Sequence, residues 1–168
     1  MMKFLFTLVI YCCFGLHSPT NTTATETTIY YFIRHAEKVK NTNTKDPELL
    51  PKGLERAEQW ANTFKQVPLD AVYSTDYKRT VSTALPTANS KGLPITKYHP
   101  TKIDYDTFLN DTKGKNVLIV GHSNTIPGFV NQIIGKEKYD DISHDNNANL
   151  YIVTIANGNI TDMVLYID

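Results

Sequence analysis

The chain has two cysteines, Cys12 and Cys13, and both fall inside its first apolar run. A domain that begins after that run has no disulfide available, so its stability has to come from an apolar core. Charge of one sign is also lacking, with Lys+Arg 17 set against Asp+Glu 17. That balance removes any general electrostatic case for nucleic acid or a membrane surface, and an anion site has to be built locally. The apolar run over residues 4–14 is about eleven residues long, too short to cross a hydrocarbon layer of roughly 30 Å as a helix. There is no internal repeat, and the only biased stretch is the Thr-rich segment 20–28. No glutamate occurs between Lys91 and Lys136.

What is present fits one domain. A length of 168 residues allows a single proper core and not two. Lys3, the apolar run and His17-Ser18-Pro19 resemble a secretory signal over residues 1–19. Residues 20–28 then act as a polar tether and residues 29–168 as the folded domain. An exported protein is expected: periplasmic, secreted or lipid-anchored, with a cytoplasmic one less favoured. Membrane contact is expected only through a lipid anchor, and the residues before Cys12 and Cys13 make a poor lipobox. Asn21, Asn110 and Asn159 each open a glycosylation sequon, which matters only in a eukaryotic secretory pathway.

The stretch 29–38, Ile-Tyr-Tyr-Phe-Ile-Arg-His-Ala-Glu-Lys, organises the rest. Its apolar, aromatic-rich part reads as a buried strand that stops at Arg34 and His35. Consecutive residues of a strand point to opposite faces, so these two serve one site only if the backbone leaves extended geometry there. A polar loop over 41–50 leads to an amphipathic helix over 53–64, in which Trp60 is expected to pack in the core. Residues 69–74 form a second strand, and a helix capped by Thr75 or Asp76 carries Arg79 in its first turn. Residues 94–98 read as a weaker strand and 103–109 as a short helix bearing Asp104 and Asp106. Residues 116–121 form the clearest buried strand, ending in Gly121-His122-Ser123-Asn124, with a helix over 125–134 that Ser123 or Asn124 caps. Asn157-Gly158-Asn159 separates two final strands as a hairpin. Alternating strands and helices with a final hairpin predict a three-layer α/β/α sandwich, its sheet mostly parallel with a C-terminal antiparallel hairpin.

Ligands of open α/β sheets bind at the carboxyl ends of the strands. Arg34, His35, Arg79 and His122 are all expected there, and two guanidinium groups beside two imidazoles suit a tetrahedral dianion. A neutral imidazole among them can attack phosphorus.

Arg34-His35-Ala36-Glu37, Leu50-Pro51-Lys52-Gly53 leading to Ala57, Tyr73-Ser74-Thr75-Asp76 through Arg79 to Thr83-Ala84, and Gly121-His122-Ser123 stand in the order seen in the histidine phosphatase superfamily. The chain resembles its phosphoglycerate-mutase-like branch, branch 1, across nearly all of residues 29–168. The resemblance implies His35 as nucleophile, Arg34, Arg79 and His122 as the phosphate pocket with Ser123 beside them, and a small phosphorylated substrate. It implies no metal and no cofactor, and no histidine pair has metal-ligand spacing. A carboxylate that protonates the leaving group, often a glutamate after the third strand, has no counterpart here. Asp106, Asp104 or Glu37 remain as candidates, Asp106 first, although orienting Arg34 or Lys38 suits Glu37 better. The long insertions of the mutases are missing between Arg79 and His122, which favours a monophosphatase. A phosphate-ligand binding protein with little turnover is the alternative, as is a phosphohistidine phosphatase if the leader is retained in the cytoplasm. His99 and His144 are expected to be ordinary surface residues.

Overall fold

A computed structural model describes residues 26–40 and 43–168. The expected signal segment, most of the tether and both cysteines lie outside the described residues. Among those described, no helix is long and apolar enough to cross a membrane.

Six strands form one sheet in the order β3-β2-β4-β1-β5-β6. They are β1 (Thr27–Arg34), β2 (Ala71–Thr75), β3 (Ile95–Tyr98), β4 (Asn116–Gly121), β5 (Asn149–Ala156) and β6 (Asn159–Tyr166). Strands β3, β2, β4 and β1 pair in parallel, β5 runs antiparallel to β1, and β5 and β6 form the C-terminal hairpin. Its turn has Asn157 and Gly158 at φ of 52° and 74°, the left-handed values that an Asn-Gly pair tolerates.

The side-chain period of two explains why both faces of the centre are apolar. Tyr30 and Phe32 of β1 and Val117 and Ile119 of β4 point to one face. There they meet Ile126, Phe129 and Val130 of α4 (Thr125–Ile134), with Phe108 of α3 (Tyr105–Asp111) packed at the side. Ile33, Leu118 and Val120 point to the other face, against Trp60 of α1 (Pro51–Thr63) and Ala84 and Ala88 of α2 (Lys78–Lys91). Helices on both faces make the three layers that the strand and helix alternation predicts. Each large apolar side chain so buried contributes about 1.5–3 kcal/mol relative to an exposed one.

Three local expectations change. Helix α2 begins later than its cap residues predict: Tyr77 occupies the N-cap without a side-chain bond. The Asp46 carboxylate, from the loop before α1, instead accepts from the Lys78 N–H at 2.9 Å. Asp104 turns out to be the N-cap of α3, accepting from the Thr107 N–H at 3.2 Å, so this helix starts two residues later than its pattern suggests. At the start of α4, Asn124 holds the N-cap position with no side-chain bond to the helix.

Gly53, in the first turn of α1, fixes how closely that helix approaches the end of β1. A Cβ placed there would lie 2.2 Å from the carbonyl oxygen of Glu37, two residues after His35. Backbone cannot yield as a flexible side chain does. Gly53→Ala is therefore expected to cost about 1–3 kcal/mol of stability, seen as a lower midpoint in urea unfolding.

Candidate active site

The parallel pairing of β1 with β4 aligns Arg34 with Gly121, so His35 and His122 leave their strands side by side. The ladder continues one step, with the His35 N–H donating to the Gly121 carbonyl at 2.9 Å. Beyond that point β1 stops, and this break lets Arg34 and His35 line the same cleft. The imidazole rings of His35 and His122 lie 5.7 Å apart, centre to centre.

His35 is held on several sides. Its carbonyl accepts from Asn147 Nδ2 at 2.8 Å, and the next N–H, of Ala36, donates to Thr83 Oγ1 at 2.9 Å. Thr83 Oγ1 in turn donates to the Arg79 carbonyl at 2.7 Å, tying His35 to helix α2. The ring nitrogen Nδ1 lies 2.8 Å from the Ala36 carbonyl. A carbonyl can only accept, so Nδ1 carries the hydrogen and Nε2 keeps its lone pair. Burial holds the His35 pKa down to about 3, with the charges of Arg34 and Arg79 adding to the effect. The ring is neutral at any ordinary pH.

The tautomer of His122 follows from a hydroxyl chain. Thr80 Oγ1 donates to the Thr75 carbonyl at 2.8 Å or the Tyr77 carbonyl at 2.9 Å, and Thr75 Oγ1 donates to Thr80 Oγ1 at 2.9 Å. The Thr75 hydroxyl then has only lone pairs for His122 Nε2, which donates to it at 3.0 Å. That leaves His122 Nδ1 as an acceptor, 3.4 Å from Arg79 Nη2. Burial, followed by the charges of Arg79 and Arg34, lowers the His122 pKa to about 4.

The two guanidinium groups are positioned differently. Arg34 is 6% exposed and donates through Nη1 to the carbonyls of Ser143 and Asn146, both at 2.8 Å. Arg79 lies over the Tyr77 ring at 4.4 Å and 3.4 Å from Asp46 Oδ1. The Nε atoms of both are buried without a hydrogen-bond partner. Burial lowers both pKa values from the ordinary guanidinium value, a cost that a bound anion offsets. Ser123 and Thr125, at the start of α4, line the same cleft of about 450 Å³, where the helix N-terminus adds positive potential.

Arg34, His35, Arg79, His122 and Ser123 thus come together as the motifs suggest. Asp106 does not join them: it is exposed in the first turn of α3 and absent from the residues lining the cleft. Asp104 is occupied in capping α3. Glu37 neither orients Arg34 nor pairs with Lys38; both its oxygens accept from Arg56 Nε at 3.0 Å, with Lys52 3.7 Å away. His144 is exposed as expected of a surface histidine, yet it lines the same cleft as His122 and a second cleft next to it. The motifs do not single out Asp46, Asn147 or His144, which come from loops. Thr75 stands inside one of the four motifs, but its bond to His122 depends on strand register. Among the described residues, no group of three or more His, Cys, Asp or Glu side chains could hold a metal ion.

A mostly parallel sheet with two neutral histidines between a buried Arg34 and a half-buried Arg79 defines a class of anion site at strand ends. The model of the histidine phosphatase superfamily, branch 1, matches residues 30–99, where the first three of the four motifs lie. The matched span contains Arg34, His35 and Arg79. Among solved structures the chain is similar to a phosphoglycerate mutase from Bacillus anthracis str. Sterne, at 16% identity over 84% of this chain and 93% of that one, with a TM-score of 0.64. It is likewise similar to the protein histidine phosphatase SixA complexed with tungstate, at 16% identity over 82% of this chain and 96% of that one, with a TM-score of 0.65. A third is a mutant phosphoserine phosphatase from Entamoeba histolytica in complex with phosphoserine, at 16% identity over 81% of this chain and 95% of that one, with a TM-score of 0.61. At such identities the likeness establishes the fold. No curated protein matches the chain in sequence.

The suppressed titration of His35 has a consequence for stability. In the unfolded chain this imidazole titrates near 6.5, and in the folded one near 3. Between those values the unfolded state binds a proton that the folded state refuses, so stability falls as pH drops from about 6.5 toward 3. The slope for one such group is at most about 1.4 kcal/mol per pH unit. In phosphate-free buffer, His35→Ala is expected to flatten the dependence between pH 7 and pH 5, measured by urea unfolding at each pH.

Proposed function

We propose that the chain is a metal-independent phosphomonoesterase that works through a phosphohistidine on His35. The observation that carries this reading is the state of the His35 ring: neutral, with its hydrogen fixed on Nδ1 by the Ala36 carbonyl and the Nε2 lone pair free. In the first step that lone pair attacks phosphorus, the bond from phosphorus to the ester oxygen breaks, and the departing oxygen takes a proton. In the second step water attacks the same phosphorus and gives its proton to the group that protonated the leaving oxygen, the bond to nitrogen breaks and inorganic phosphate leaves. Arg34 and Arg79 stabilise the charge on the equatorial oxygens, which is most of what phosphoryl transfer requires, and His122 joins them when its Nδ1 takes up a proton.

For the proton on the leaving oxygen we assign His144 in place of Asp106. The carboxylates lining the cleft next to His35 are already engaged: Glu37 by Arg56, and Asp145 by Ser143, whose hydroxyl holds the Asp145 pKa below the usual carboxylate range. His144, an imidazole on the rim of both clefts, is the side chain we place to donate that proton. Support for export is confined to the sequence, in the apolar run after Lys3 and the His17-Ser18-Pro19 that follows it. Intact mass of the protein from its native host would show residues 1–19 removed, and a retained leader would favour the cytoplasmic phosphohistidine phosphatase.

His35→Ala is expected to abolish hydrolysis of an activated aryl phosphate while leaving the fold intact, and excess chelator is expected to leave the parental rate unchanged. A His35→Ala protein that turns over at the parental rate would overturn the reading. A folded parent that binds phosphate but hydrolyses nothing would point to the binding protein instead. His144→Gln is expected to slow an alkyl phosphate about 10²-fold or more and an activated aryl phosphate far less, because only the poorer leaving group needs the proton.

A further inference from the structure

Beside the anion cleft lies a second one of about 550 Å³, and Arg34, His35, Lys38 and His144 line both. Its other walls carry Lys40 and Lys52, so three lysines surround space that opens directly onto the nucleophile. The lysine positions are set by backbone structure. Lys38 pairs with Leu49 in an isolated antiparallel bridge, strengthened by the Val39 N–H donating to the Glu48 carbonyl at 2.9 Å. Lys52 is the second residue of α1, held against the end of β1 by the close approach at Gly53.

Two carboxylates, Glu37 and Asp145, share these walls. Glu37 lies 3.7 Å from Lys52 but gives both oxygens to Arg56, whose side chain lies outside the cleft lining, and Asp145, bonded to the Ser143 hydroxyl, feels the charges of Lys40 and Arg34. These two carboxylates stand against Arg34 and three lysines. The cleft is therefore cationic in a chain whose net charge is zero. A third space, sharing Tyr77 with the anion cleft, offers a contrast: its one lysine, Lys97, is paired with Asp76.

Building on the phosphomonoesterase reading, we propose that Lys38, Lys40 and Lys52 form a subsite for a second anionic group on the alcohol portion of the substrate. The substrate class is then a phosphomonoester whose leaving group itself carries a carboxylate or a further phosphate. With the phosphoryl group between Arg34 and Arg79, the rest of the molecule extends toward the lysines and away from the neutral space by Lys97. Opposite charges across the cleft select such esters over neutral ones of the same shape.

The test compares para-carboxyphenyl phosphate with para-carbamoylphenyl phosphate, near-isosteric esters that differ in this charge. Both kcat/KM, from released phosphate, and Kd, from calorimetry, are measured on the full chain and on the Lys40→Gln/Lys52→Gln double variant. The parent is expected to prefer the carboxylate about five- to tenfold, and the double variant to bring the ratio close to one. Lys91→Gln, on the far end of α2, serves as the control and keeps the parental ratio. A parental ratio near one, or a preference that survives in the double variant, overturns the subsite. If neither ester is hydrolysed but the carboxylate binds more tightly and loses that advantage in the variant, the phosphatase reading falls and the subsite stands. Hydrolysis of both without preference keeps the phosphatase reading and removes the subsite, and binding of neither removes both.

Discussion

The parallel register between β1 and β4 is the constraint on which the site depends. Because Arg34 faces Gly121 across that pair, the two strands end at the same height and release His35 and His122 next to each other. The same geometry accounts for the sequence pattern on both sides of the break. Residues 30–33 and 117–120 are apolar on both faces because helices cover both faces, and polar residues begin where that cover ends. A shift of one residue in the pairing would separate the histidines and invert every core side chain together. The core thus fixes the register, and the register fixes the chemistry.

A pocket this rich in cations is not self-consistent without help. Burial raises the cost of protonating the imidazoles, and the two arginines beside them raise it further, so both rings stay neutral. Carbonyl oxygens of the loop after α4 take two hydrogen bonds from Arg34, while Tyr77 and Asp46 steady Arg79. Asp46 acts twice, capping α2 through the Lys78 N–H and facing the arginine one residue further along. The loop before α1 thereby shapes the site from a distance of some thirty residues in sequence.

The groups that do the chemistry were readable because each closes a short motif at the end of a strong strand: Arg34 and His35 after 29–33, Arg79 just into the helix after β2, His122 after 116–120. Element types followed from periodicity, and Trp60 packs in the core as its spacing suggests. What the sequence concealed was partnership. Glu37 has Arg34 and Lys38 as neighbours in the chain, yet the close approach of α1 at Gly53 brings Arg56 to it. Thr75 and Asp76 look like caps, but the chain bends at Asp76, with the Tyr77 N–H donating to the Thr75 carbonyl, and a carboxylate from another loop takes the role. Asn147 and His144 sit in a polar loop whose path depends on the bond between the Ile142 N–H and the Ser123 carbonyl, with no local code for it. Such contacts join segments far apart in sequence, where neither spacing nor propensity carries information.

The hydroxyl chain behind His122 has one further effect. It runs from the imidazole through Thr75 to Thr80 and ends on main-chain carbonyls. Amide oxygens of that kind hold no proton at ordinary pH, so the chain is a dead end for proton conduction. Nothing delivered to Nδ1 can drain out through the protein interior, and His122 exchanges with solvent only across the mouth of the cleft. Once a phosphate ester fills that mouth the ring is insulated, and its protonation state for the turnover is whatever the arriving ester brought with it.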